Sequence, residues 1–192
     1  MKTSLQFAKD SGAQRGSMLL ELLIAMVVLV FGMGGLLALL LTSIYTNTNT
    51  RNDTTSTMLA EHVLEQITSQ PANSNALLSL TDCAGNAWNI DPTGAVVGSG
   101  NSGSYGGDGA SLTSAGVVDW TQNYATVPVG YAMQYVSCGT GGRQTVYDVR
   151  WNVATISAYS RMVFVSARPS GSLTTGGLRF VMPVNLRTIG GM

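Results

Sequence analysis

Few residues in this chain are placed to do chemistry. Glu21 comes first, in Ser17-Met18-Leu19-Leu20-Glu21-Leu22-Leu23, immediately before an uncharged run from Leu22 to Leu41. A charge inside a membrane helix costs on the order of 2.5–3.5 kcal/mol on insertion scales, which marks it as a functional candidate. The alternative is a shallow carboxylate, solvated at the cytoplasmic interface. Cys83 and Cys138 are the only cysteines. Bridged, they would close a loop of about 56 residues, worth roughly 4 kcal/mol in the chain-entropy model; the alternative is two buried thiols. His62, the single histidine, has Glu61 and Glu65 near it, but no motif places a serine or cysteine nucleophile for it, so it reads as a surface residue.

The remaining candidates carry less. Asp82, Asp91 and Asp108 are scattered, without the clustered oxygen ligands or EF-hand spacing that calcium needs. Gly98-Ser99-Gly100-Asn101-Ser102-Gly103 fits G-x-G-x-x-G, but Ser104–Gly109 cannot open the helix that a dinucleotide loop requires, so residues 98–109 read as a surface loop. Asn52-Asp53-Thr54 fits a glycosylation acceptor, a match of low specificity. With no triad spacing and one histidine, the chain reads as a non-enzyme with no catalytic residue, cofactor or metal.

Composition narrows the classes further. Of 192 residues, 45% are apolar and only 10% charged, against roughly 25% charged in an ordinary soluble domain. The net charge is zero. A disordered chain needs the opposite balance, and nothing basic overall indicates nucleic acid. The 23 glycines follow no G-X-Y period, which excludes collagen. An oligomeric, membrane-attached or surface-exposed protein fits better than a cytosolic enzyme.

The element that carries Glu21 is a helix. Leu22–Leu41 would span about 30 Å, the thickness of a bilayer core. A secretory signal has a shorter apolar stretch and then a small-residue cleavage site; here Thr42-Ser43-Ile44-Tyr45 follow. The segment reads as a retained transmembrane helix. Lys2, Lys9 and Arg15 precede it against Asp10, and no charge follows until Arg51, so residues 1–16 are expected inside and the rest outside. Both cysteines then lie where disulfides form.

Beyond the span, residues 42–57 are rich in Thr and Asn, poor helix formers. Met58, Leu59, Val63, Leu64 and Ile67 then recur as an amphipathic stripe, and Pro71 ends it. Unbroken, Ser17–Gln70 would be a rod of about 80 Å, divided into a membrane half, 17–41, and an extracytoplasmic half, 42–70. Gly32, Gly34 and Gly35 mark either a place of local melting or close helix packing.

From residue 71 to 192 the sequence predicts a β-sheet head. Tyr131–Cys138, Thr145–Val153, Arg161–Ala167 and Leu178–Asn185 read as strands, with Val117–Trp120 as a weaker fifth. In the second, Tyr147, Val149, Trp151 and Val153 share one face, and Asp148, Arg150 and Asn152 the other. The expected fold class is α+β, an antiparallel sheet packed on the later half of the long helix. Six arginines fall between Arg143 and Arg187, against the single Asp148. They read as solvated strand faces or as a surface that docks on a neighbour's acidic half.

Gln14-Arg15-Gly16-Ser17-Met18-Leu19-Leu20-Glu21-Leu22-Leu23 resembles the prepilin N-terminal cleavage and methylation motif of type IV pilins and type II secretion pseudopilins. A short basic leader, a glycine before the cut, an apolar run and a glutamate at the fifth mature position coincide in register over about residues 9–45. Ser17 stands where the family usually has a large apolar residue. The strands after residue 144 look like the C-terminal part of PilV-type minor pilins. This resemblance implies a pilin-like fold and a cytoplasmic leader, 1–16, removed by a prepilin peptidase between Gly16 and Ser17. It also implies N-methylation of Ser17 and a filament in which Glu21 pairs with the N-terminal amine of a neighbouring subunit.

The implied partners are the peptidase, other pilin or pseudopilin subunits, an inner-membrane assembly platform and the lipid bilayer. The implied location is the inner membrane, N-terminus in and C-terminus out, and then the periplasm and an extracellular pilus. A minor subunit within or at the tip of a type IV pilus is the function expected. A pseudopilin of a type II secretion system is the alternative, and a membrane-tethered periplasmic enzyme is a remote one.

Overall fold

The structure is a computed structural model and describes residues 14–100, 105–139, 142–170 and 182–191. The chain divides into two compact units, Met1–Thr48 and Asn49–Met192.

One helix, α1, runs from Gln14 to Thr68. Its Thr-rich middle is helical too, and the hydroxyls there find partners within the helix. The Oγ1 atoms of Thr42, Thr48, Thr54, Thr55 and Thr57 each donate to the carbonyl four residues earlier, at 2.8–3.0 Å. A bonded hydroxyl no longer competes for the backbone in a non-helical conformation. The helix closes with Ser69 N donating to Glu65 O at 2.8 Å and Gln70 N to Ile67 O at 3.3 Å. Pro71 has no N–H to continue it.

The second unit combines the later turns of α1 with two sheets. β1 (Leu78–Thr81) and β2 (Ala87–Ile90) form an antiparallel hairpin. The main sheet has six strands: β3 (Ala95–Val96), β4 (Asp108–Gly109), β5 (Ala132–Cys138), β6 (Gln144–Ser157), β7 (Ser160–Pro169) and β8 (Val184–Gly190). β6 is its axis. β7 pairs with one side of β6 and β8 with β7, while β5, β4 and β3 succeed one another along the other side.

The fold class is α+β, with one correction: the sheet is mixed, because β3 runs parallel to β6. Two strand expectations also change. The last strand is Val184–Gly190 rather than Leu178–Asn185, of which 178–181 lie outside the described residues. Val117–Trp120 is no strand and makes only a Leu112–Val118 bridge. The β1–β2 hairpin and the two-residue β3 and β4 are too short for alternation to reveal.

The sheet is covered on both faces. On one, Leu59, Ala60, Val63 and Ile67 of α1 enter a core with Met133, Val149, Trp151, Val153, Val163 and Val165. On the other, Trp120 Nε1 donates to Ser166 Oγ at 3.0 Å, Asn152 Nδ2 to Ala110 O at 3.2 Å, and Tyr105 packs on Phe164 with ring centroids 6.0 Å apart. The segment around 105–124 is therefore a third layer. Asp148, Arg150 and Asn152, which alternation alone leaves on a solvated face, are buried beneath it.

Candidate functional site

The candidate residues at the chain's start lie on the first turns of α1. Gly16, Ser17 and Glu21 are all helical, and the bond between Gly16 and Ser17 falls inside the first turn. Ser17 and Glu21 are four residues apart, so they occupy one face of the helix. Glu21 is exposed among Met18, Leu20, Leu22 and Leu23, which are exposed too. It is the last charge before Arg51. From Met18 on, the helix is long and apolar enough to cross a membrane, and its apolar side chains are exposed. A continuous apolar surface of that extent is the mark of a lipid or protein contact. Gly32, Gly34 and Gly35 have nothing within 4 Å of where a Cβ would stand.

The second unit joins Cys83 to Cys138 in a disulfide, with Cα atoms 5.9 Å apart. Beside it, Asp82 organises a turn that spacing did not reveal. Its Oδ1 accepts from Ala84 N at 3.0 Å and Asn86 N at 2.8 Å. Its Oδ2 accepts from Asn86 Nδ2 at 2.9 Å, Trp88 Nε1 at 3.3 Å and Val136 N at 3.2 Å. Burial opposes the charge, but the bonds from Asn86, Trp88 and Val136 outweigh it and hold the carboxyl at about 2.

Two arginines of the basic C-terminal half, Arg150 and Arg161, are also buried and hydrogen-bonded, which corrects their reading as solvated residues. Arg150 donates to Asp148 from Nε at 3.0 and 3.2 Å and from Nη2 at 2.7 Å, and from Nη1 to Gln122 O at 2.7 Å. Its guanidinium lies 4.6 Å from the Trp120 ring, whose centroid is 4.1 Å from Arg168. Arg161 is buried, and among the described residues no carboxylate pairs with it. It donates to Pro92 O at 3.1 Å, to Gln70 O at 2.8 Å and to Ile67 O. A cation there meets the negative end of the helix dipole. The single sequence signal for this role is an arginine opening an otherwise apolar strand pattern.

The other candidates stay apart. His62, Glu61 and Glu65 are exposed on the helix. Asn52 lies within α1, with Tyr147 Oη at a long 3.5 Å from its Oδ1. Gly98 and Gly100 bond to the 105–107 segment, while residues 101–104 of the G-x-G-x-x-G run lie outside the described residues. Among the described residues no three of His, Cys, Asp and Glu gather around a metal position. A pocket of about 250 Å³ between residues 115–118 and strands β7–β8 is lined by Phe164, Asn185 and Arg187. Arg187 is its one ionisable group.

Fold and site together define an α+β chain whose one N-terminal helix is long and apolar enough to cross a membrane. Comparison with protein-family profiles, curated proteins and solved structures finds no match.

Proposed function

We propose that this chain is a minor subunit of a type IV pilus, made as an inner-membrane precursor, cleaved between Gly16 and Ser17, and assembled through its apolar helix. The observation that carries this reading is one uninterrupted helix. It begins with the Gly16–Ser17 and Glu21 register, continues through apolar turns that are exposed among the described residues, and ends with turns built into the core of an α+β unit. A subunit of this kind uses its first half to meet lipid and then neighbouring helices, and its second half to carry a head.

Glu21 has a defined task in that scheme. In the membrane it sits near the headgroups. In a packed filament it becomes surrounded by apolar side chains, and a buried charge without a partner is strongly penalised. Cleavage creates the missing cation, the α-amine of Ser17, on every subunit.

The test is coexpression with a prepilin peptidase, followed by intact-mass measurement. The expected product lacks residues 1–16. A bulky or charged residue in place of Gly16 blocks that step. Glu21→Leu leaves insertion and cleavage intact but lowers the amount recovered in sheared filaments. A mature N-terminus beyond Leu41 overturns the reading. Co-purification with pilus subunits rather than with secretion pseudopilins separates the pilus from the secretion system, which share these N-terminal features.

A further inference from the structure

The two edges of the main sheet are finished differently. β8 forms one edge, and its centre carries the exposed Arg187. A charge on an edge strand discourages pairing with another chain. β5, Ala132-Met133-Gln134-Tyr135-Val136-Ser137-Cys138, has neither charge nor proline. That is the composition that pairs with its own kind most readily.

Backbone parity shows which groups of β5 face outward. Tyr131 O accepts from Trp151 N of β6 at 3.0 Å, so the odd-numbered residues turn their N–H and C=O toward β6 and the even-numbered ones turn away. At Val136 both outward groups are taken. Its N–H donates to Asp82 Oδ2 at 3.2 Å, and its carbonyl accepts from Cys83 N at 3.4 Å. Cys138, the next outward residue, is bonded to Cys83. Asp82 and Cys83 thus stand where a neighbouring strand would stand. Asp82 is itself held in the turn by Ala84 N, by Asn86 N and Nδ2, and by Trp88 Nε1.

We propose that the outer edge of β5 is a latent strand-pairing surface for a second copy of this chain, closed by two locks, the Asp82 carboxylate and the Cys83–Cys138 bridge. Each lock alone keeps Cys83 against Val136. A dithiol reductant opens the second: the S–S bond takes up two electrons and two protons to give two thiols, and the reductant becomes a disulfide. With both open, the β1–β2 hairpin is held by the apolar contacts of Leu78, Leu80, Trp88 and Ile90 with the core. The edge is then available to an identical edge, and seven uncharged residues pair antiparallel.

The experiment compares four full-length proteins in detergent micelles: wild type, Asp82→Ala, Cys83→Ser with Cys138→Ser, and all three changes together. Amide exchange is followed over 78–90 and over 149–167, and mass by light scattering. In the triple variant, exchange over 78–90 rises roughly 100-fold. A dimer also appears in which amides of 132–138 regain protection. Each lock removed singly leaves exchange over 78–90 within about tenfold of wild type, with unchanged mass. Reducing Asp82→Ala after it has folded oxidised reaches the same end state without asking the triple variant to fold. Equal acceleration over 149–167 overturns the proposal, because the two locks then serve only global stability. So does a triple variant that behaves like the single ones, or an opened hairpin without a change in mass.

Discussion

Residues 18–48 and the unit from Asn49 onward treat their side chains in opposite ways. In the first, Leu29 is 57% exposed and Phe31 77%; in the second, Arg150 is 2% exposed and Arg161 1%. Burial here follows the supply of layers and partners rather than hydrophobicity. Among the described residues the apolar side chains of the early turns of α1 are exposed. The later turns have a sheet beside them, and a third layer lies beyond the sheet. That depth buries Arg150 together with its strand neighbour Asp148 and supplies Arg161 with three carbonyls. It leaves a few groups unmatched, among them Ser56 Oγ, Asn152 Oδ1 and Arg161 Nε.

Removing a buried partner tests this contrast most severely. Asp148→Ala strands the Arg150 guanidinium under Trp120 and is expected to cost roughly 3–5 kcal/mol in denaturant unfolding of the second unit. Adding Arg150→Met should restore most of that, since an apolar pair of similar volume replaces a buried ion pair at little cost. If Asp148→Ala is nearly silent, Arg150 reaches water and the covering layer is open.

Truncating α1 in its two halves sharpens the comparison. Ile67→Ala opens a cavity against the sheet and is expected to lower unfolding stability by about 2–5 kcal/mol. Leu37→Ala removes an equally apolar side chain that touches no core and should change the same measurement by less than about 0.5 kcal/mol. Similar losses at both sites would erase the distinction between the halves.

Acid provides the gentlest probe, and a local one. Asp82 has its carboxyl lowered from the ordinary 3.8 to about 2. Its contribution to the folded state is therefore complete above the ordinary carboxylate value and is lost as pH falls through about 2. Amide exchange of the β1–β2 hairpin should accelerate over that interval in wild type. In Asp82→Asn, which has no carboxyl to titrate there, the step should be missing.

Much of the early chain is legible from local rules. Twenty uncharged residues after Glu21 specify a long apolar helix whatever surrounds them, because every backbone group is satisfied within the segment. The stripe Leu59, Val63, Ile67 announces the face that packs, since its period matches the helix. Thr42–Thr57 is harder to read, because propensity counts hydroxyls as competitors for the backbone and does not count the bonds they make back to it.

Strands β5, β6 and β7 are visible for the same local reason, alternation of apolar side chains over seven or more residues. Alternation also misleads there, because it sorts Asp148, Arg150 and Asn152 to an outer face without knowing that residues 105–124 return over it. The parallel β3, the Asp82 turn on the edge of β5 and the placing of Arg161 at the end of α1 bring together residues separated by 54 to 94 positions. Pairings at that distance leave no period in a sequence. They depend on which surfaces meet once the sheet is assembled, so the helix and its charge are properties of the chain, and the burial of the arginines is a property of the fold.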